Sequence, residues 1–191
     1  MAYIGMRKPV AAPITAHTDG SAITYGTGLV IGPAVAANLT FDVNDNPDYG
    51  DDIVIDNDNG VNGYSGTLET NDLAEGALDA LLGWDKTGTT AVTYTVTDDN
   101  APYVGFGFIR VKLFHGVRSY EGYWFHKAQF SLASLNASTK QRQIDWNHPQ
   151  LNVTGMGAYI DNTGKAKYFD FQAFETEAAA TTWLNSHANI S

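Results

Sequence analysis

The chain has 191 residues, no cysteine and a formal net charge of −10. The negative charge argues against stable nucleic-acid binding, because proteins that hold nucleic acids neutralise phosphates with basic surfaces. The lack of cysteine excludes disulfides, thiolate nucleophiles and cysteine-ligated zinc. With 43% hydrophobic and 17% charged residues, the composition predicts a folded chain of one domain, residues 1–191, with a substantial core.

The N-terminal segment, about residues 1–20, contains Pro9 and Pro13 among small and apolar residues, which predicts a short strand or arm. It holds no apolar run of the length of a signal peptide, and no stretch of the chain reaches the ~18 apolar residues of a membrane span. We therefore expect folding in a cytoplasm and no membrane partner. A strand interrupted by Gly26 and Gly28 follows, and then a second strand over about 36–43.

The segment of about 42–62 is polar and acidic, with one apolar island at Ile53 to Ile55. It predicts a long acidic loop with a short embedded strand, and loops of this length in compact domains are usually functional or disordered. Tyr49 and the island give the loop apolar surface to bury, so we expect it to order against another surface. The run from Asp56 to Gly60 lacks the residue order of a calcium loop and is typical of solvated turns instead.

A clear helical period follows this loop and predicts a flanking α-helix over about 70–83. Apolar residues recur there on one stripe, namely Leu73, Ala77, Leu78, Leu81 and Leu82. Thr70, Asn71 or Asp72 can cap the start of the helix. Gly83 stands where a left-handed residue commonly ends one.

A long antiparallel hairpin is predicted over 103–132. Apolar and basic residues alternate from Ile109 to Lys112, which is the period of two of a strand with one buried and one wet face. The Gly-containing segment 115–119 predicts the turn, and Gly105 and Gly107 predict the close approach of another backbone or ring. The remaining expected elements are strands over 91–97, 140–146, 153–160 and 167–174 and a short C-terminal helix over about 176–186. The sum is an α+β, mainly β fold, an antiparallel β-sandwich or barrel.

No group of residues in the sequence predicts catalysis, a metal site or a cofactor. Glu121 is the only glutamate on a predicted sheet face, so a glycosidase with paired carboxylates would need an aspartate partner that the sequence does not identify. The five histidines lack metal-ligand spacing, and His115 and His126, beside the hairpin turn, favour a surface or interface role. The aromatic run from Tyr120 to Phe125 could stack on sugars, but core packing or a subunit interface is favoured.

Several features follow one another in a characteristic order along nearly the whole chain, although no single one is a specific motif. They are the arm Gly5 to Ile14, Tyr25-Gly26, Tyr49 to Asp52, Asn62 to Leu68 with the helix at 72–83, Ala101 to Phe108, Tyr120 to Phe130, and Phe174 to Leu184. In this order they resemble the major tail tube proteins of bacteriophages with long, non-contractile tails.

The resemblance implies a structural subunit, not an enzyme, that assembles with itself into hexameric rings stacked as the conduit for DNA ejection. The implied partners are further copies of the chain and the tail terminator, tape measure and baseplate or distal tail proteins, with transient passage of double-stranded DNA without stable binding. The implied location is the virion tail, assembled in the bacterial host cytoplasm. Six copies at −10 each would give a ring charge of −60, which suits a channel that repels phosphates.

Carried over to this chain, the resemblance places a ring-stacking contact in the acidic loop, at Asp45, Tyr49, Asp51, Asp52, Ile53, Asp56 and Asp58. It places a lumen wall or intersubunit contact on the long hairpin, at Val104, Phe106, Phe108, Arg110, Lys112, Glu121 and Lys127. The uncharged stretch from Val104 to Phe108 by itself predicts an intersubunit contact. The alternative hypotheses are a carbohydrate-binding β-sandwich module of a tail tip or secreted particle, and a glycosidase.

Overall fold

The computed structural model describes residues 2–58, 60–74, 76–87, 92–94, 100–134 and 147–191. The protein is mainly β, with 57% strand and 11% helix, and most of its strands join one antiparallel sheet. This confirms the α+β, mainly β fold class. None of the helices in the described residues is long and apolar enough to cross a membrane.

Thirteen strands and two helices lie within the described residues. In chain order they are β1 Ala2–Ala16, β2 Thr24–Tyr25, β3 Leu29–Val30, β4 Ala34–Val43, β5 Asn46–Gly50, β6 Ile53–Asp58, β7 Val61–Thr70, α1 Ala77–Leu82, β8 Asp85–Thr87, β9 Val92–Tyr94, β10 Val104–Phe114, β11 Val117–Ser134, β12 Gln150–Gly155, β13 Phe169–Phe174 and α2 Glu177–Ala188.

The main sheet is built around the hairpin of β10 and β11, and its strand order is β2-β1-β10-β11-β12-β7-β4. Along one edge β11 changes partner, because its residues 120–125 pair with β13 and its residues 128–134 pair with β12. The outer edge of β1 pairs with β3 and β2, but only from Val10 onwards. On one side the sheet therefore ends at β1 before Val10 and at β3 and β2 beyond it, and on the other side it ends at β4.

Both faces of the sheet are covered near its centre. One face carries the larger core, where the rings of Phe106 and Phe125 stack 4.7 Å apart and α1 packs through Leu81. The other face is covered by α2, whose Leu184 packs beside the fully buried Trp124. The predicted alternation of wet and dry residues therefore holds only in the outer half of β10, since its inner half is buried on both faces.

The flanking helix is shorter than predicted, because α1 begins at Ala77 instead of near residue 70. The amide groups of Asn71 and Ala74 donate to the carbonyls of Pro33 and Ile31, and this fixes the backbone outside a helix. Gly76 then enters the helix in a left-handed conformation without a side-chain cap. The apolar stripe and the left-handed Gly83 that ends the helix are confirmed.

Two further segments differ from the expectations. The acidic segment is not a loop with one embedded strand but a two-stranded antiparallel hairpin of β5 and β6, because Asp51 and Asp52 both adopt positive φ and make a tight turn. The N-terminal segment, predicted as a short strand or arm, is a 15-residue strand that pairs with β10. The strand predicted over 140–146 lies outside the described residues, as does most of the one over 91–97.

Other predicted elements are confirmed with changed bounds. The turn of the long hairpin is only His115 and Gly116, and the C-terminal helix starts after Thr176, whose hydroxyl accepts from the amide of Ala179 at 3.3 Å. The strand predicted over 153–160 is β12, which ends at Gly155.

The close approach predicted at the glycines of β10 is also confirmed. A Cβ on Gly105 would lie 2.5 Å from the rings of Trp124 and Tyr25, and one on Gly107 would lie 2.7 Å from Leu184. Because these two glycines have no side chain, the rings of Trp124 and Tyr25 and the helix α2 can pack directly against β10.

Candidate assembly surfaces

The hairpin of β5 and β6, which we call the acidic hairpin, presents apolar side chains to solvent. Tyr49, Ile53, Val54 and Ile55 are 65%, 65%, 53% and 67% exposed. Exposed β-branched residues on a strand form a surface that folded proteins normally cover with a partner. The residues assigned to ring stacking from the sequence all lie on this hairpin except Asp45, which directly precedes β5.

Charge repulsion inside the acidic hairpin is the second feature of this surface. Asp48 and Asp56 are direct cross-strand partners, and like charges placed opposite each other destabilise a strand pair. The turn adds Asp51 and Asp52, both exposed. No lysine or arginine occurs between residues 45 and 58 of the sequence. A two-stranded hairpin is marginally stable alone, so a cationic partner would stabilise this one.

A groove of about 570 Å³ lies where the two ends of the main sheet approach each other. It is lined by Tyr3, Gly5, Met6, Ala37, Asn38, Leu39, Thr40, Phe41, Phe108, Arg110, Tyr123, Phe125 and Phe169. Tyr3, Gly5 and Met6 come from β1, and Ala37 to Phe41 come from β4. These two strands do not pair with each other in the described part of the chain. The sheet thus curls into a barrel that stays open along one seam.

The groove is aromatic and carries a positive charge. Of the described residues that line it, Arg110 alone is charged. The Arg110 guanidinium lies 3.5 Å from the centre of the Tyr3 ring, and its Nη1 donates to the Tyr123 hydroxyl at 3.4 Å. These contacts hold the Arg110 guanidinium at the side of the groove, next to its apolar floor. The groove therefore has the opposite charge to the chain as a whole, whose net charge is −10.

The polar residues of the long hairpin form a network beside the groove. Lys112 Nζ donates to Glu121 Oε1 at 2.9 Å, and the Tyr123 hydroxyl donates to Glu121 Oε2 at 3.3 Å. Burial alone would raise the pKa of Glu121, but Lys112 and the hydroxyls of Tyr3 and Tyr123 lower it below its usual value. Glu121 is 4% exposed and satisfied by a cation, which argues against a role as a glycosidase acid.

The other residues assigned to a lumen or intersubunit face divide into two groups. Val104 and Phe106 are fully buried in the core, because β1 and β11 flank β10 on both edges. Phe108 is 6% exposed and lines the groove. The predicted intersubunit contact is therefore wrong for Val104 and Phe106. Lys127 is half-buried, and its ammonium group lies 4.4 Å from the centre of the Tyr103 ring.

A histidine pair that the sequence did not single out as a site is formed by His126 of β11 and His187 of α2. His126 is buried instead of lying on the surface, and its Nε2 is 3.4 Å from Asp170 Oδ1. His187 Nε2 is 3.8 Å from the other oxygen of Asp170. Burial lowers the pKa of His126, and Asp170 partly opposes this shift. Across the described ranges, no group of three or more acidic or histidine side chains is placed to hold a metal ion.

The groove is the surface that sequence reasoning missed. Its walls come from β1 and β4, which are separated in sequence and do not pair with each other, so no local pattern marks it. Arg110, one of two basic residues on β10, was the one available signal, and it does not indicate a groove by itself. No protein-family model and no curated protein matches this chain. Its function is therefore inferred from these surfaces and from the resemblance of its sequence.

Proposed function

We propose that the protein is a structural subunit of a phage tail tube, which assembles with itself into stacked hexameric rings and forms the conduit for DNA ejection. The observation that carries the proposal is the acidic hairpin, which projects four exposed apolar side chains from a folded subunit. Such a surface is suited to contact with another protein. The resemblance of the sequence to tail tube proteins supplies the kind of assembly.

Other features of the subunit support this proposal. The main sheet leaves β4 as an edge strand, and closed assemblies of copies are a common way to cover such edges. The chain is strongly acidic, which suits a wall past which DNA slides without sticking. Under the proposal the tail terminator, tape measure and distal tail proteins would meet the ends and interior of the tube.

The proposal is tested by the assembly state of the purified protein. We expect rings or tubes in negative-stain microscopy and a matching rise in light scattering with concentration. The triple variant Ile53→Ser, Val54→Ser and Ile55→Ser should keep the folded subunit and lose the assembly. The control is Val117→Ser, which removes a side chain that is 69% exposed at the other hairpin and should leave assembly intact. Tubes formed by the triple variant would contradict the assigned contact.

A carbohydrate-binding module is the second candidate function, because Tyr3, Phe41 and Phe169 give the groove exposed aromatic surfaces on which sugar rings can stack. This function requires a stable monomer at high concentration that is retarded on a polysaccharide matrix. Loss of retardation in Phe41→Ala and Phe169→Ala variants would support it. A monomer with this behaviour would overturn the assembly proposal.

A further inference from the structure

The open seam of the sheet leaves two strand edges without partners. In the described residues the outer edge of β4 has no strand partner, and the outer edge of β1 has none before Val10. Two unpaired strand edges therefore border one groove, and each presents backbone groups that a further strand can bond. The groove volume of about 570 Å³ lies in the range of sites that bury a few side chains.

The chemistry of the groove is complementary to that of the acidic hairpin. The floor is aromatic, with the rings of Phe108 and Tyr123 stacked 5.8 Å apart. No carboxylate is found among the described lining residues, and Arg110 supplies a positive charge at one wall. The hairpin offers apolar residues at Ile53 to Ile55 and an excess of aspartates. An apolar, anionic strand matches an apolar groove with a cation at its side.

A hairpin that occupies the groove would come from a second copy of the chain. None of the described residues that line the groove belongs to β5 or β6, so the hairpin of a subunit does not fill the groove of the same subunit. We infer that the groove between β1 and β4 receives the acidic hairpin of another copy, with β6 alongside the open edge of β4. This inference rests on the proposed function and adds to it the surface that accepts the hairpin.

Such a contact is heterologous, because the donor surface and the acceptor surface are different patches of one molecule. Contacts of this kind propagate from copy to copy and give rings or open filaments, not closed two-fold dimers. Binding of the acidic hairpin in the groove would also place Asp48 and Asp56 near the Arg110 guanidinium, which would offset their cross-strand repulsion. The hairpin would then be more stable in the assembly than in the free subunit.

Disulfide cross-linking tests the contact cleanly, because the natural chain has no cysteine. One population carries Val54→Cys on the hairpin, and a second carries Thr40→Cys, an exposed residue of β4 that lines the groove. The two are mixed, allowed to assemble and oxidised. A seated hairpin raises the effective concentration of the two thiols, so we expect about tenfold more cross-linked heterodimer than in the control mixture.

The control mixture pairs Val54→Cys with Thr182→Cys, an exposed position on α2 outside the groove. Asn38→Cys is a second acceptor on β4, also exposed and groove-lining, and serves if Thr40→Cys impairs folding. Assemblies that form but cross-link no better at β4 than at α2 would overturn this inference alone and leave the proposed function intact. Failure of the unmodified protein to assemble at all would overturn both.

Discussion

Lys112 and Glu121 face each other across the long hairpin, with the ammonium nitrogen 2.9 Å from a carboxylate oxygen that is almost fully shielded from water. The two residues are separated by the turn and occupy rungs two apart on the same ladder, since Lys112 pairs with Ser119 and Arg110 pairs with Glu121. A buried carboxylate is costly unless it is paired and hydrogen-bonded. This pair therefore fixes the register of the hairpin as well as its charge balance.

Glu121→Gln should destabilise the subunit by about 2 kcal/mol at neutral pH, because it removes charged hydrogen bonds while leaving Lys112 half-buried. The lowered pKa of Glu121 means that its contribution is present above its usual value of 4.5 and is lost as pH falls through the lower folded value. Urea unfolding at neutral and acid pH measures both effects. Glu177→Gln, which breaks the more exposed pair with Arg7, should cost clearly less.

Alkaline pH should destabilise the protein through its buried tyrosines. Burial raises the pKa of Tyr25 to about 12 from 10.0, so its stabilising contribution is complete below pH 10 and is lost as pH rises towards 12. The loss amounts to about 2 to 3 kcal/mol for a shift of this size. Tyr25→Phe should reduce the fall in the free energy of unfolding between pH 10 and 12. At neutral pH it should cost about 1 kcal/mol, because the hydroxyl donates to the His126 carbonyl at 2.9 Å.

Titration of phenolate absorbance in the folded protein measures the same shift directly. Tyr25 should ionise only near the onset of unfolding, well above its usual pKa of 10.0. A Tyr25 that titrates near pH 10 would contradict its burial beside Trp124.

Gly105→Ala should destabilise the protein by about 1 to 3 kcal/mol, the usual cost of forcing extra volume into a packed core. The added methyl group would meet the rings of Trp124 and Tyr25, neither of which can move without displacing α2 or β2. The matched control is Gly5→Ala on the neighbouring β1, where no atom lies within 4 Å of the new Cβ. Thermal unfolding should show a lower Tm for the first variant and little change for the second.

His126 should make the protein less stable in mild acid. Its lowered pKa means that stability is complete above the usual value of 6.5 and declines as pH falls towards the lower folded value. Asp170 and His187 face the ring from β13 and α2, and Asp170 limits the decline. His126→Gln should show a smaller drop in urea midpoint between about pH 7.5 and 5. His17→Gln, at a less buried histidine, should keep the full drop.

Local patterns predicted the elements whose structure depends on local chemistry. The long hairpin, the two glycines of β10 and the helix after Thr176 were all indicated by period, turn chemistry or caps. The start of α1 was missed because the carbonyls of Ile31 and Pro33, distant in sequence, take the amides that a helix would use.

Tertiary pairing explains the remaining differences. The buried stretch of Val104 to Phe108 lacks charge because α2 and the core cover both of its faces, and not because a neighbouring subunit does. The groove of the open seam could not be predicted at all, since it depends on how far the sheet curls and on which strands end it.

The open seam also determines when the groove and the acidic hairpin can form during synthesis. Its walls contain Tyr3 and Phe169, which are far apart in the sequence, so the complete groove does not exist until Phe169 has left the ribosome. The pairing of β1 with β10 imposes a similar delay, because the two strands are about a hundred residues apart. The acidic hairpin, by contrast, is closed by local pairing and can form early. Under the proposed contact, a nascent chain can therefore offer a hairpin before it can accept one, so two chains that both lack Phe169 cannot join through this groove.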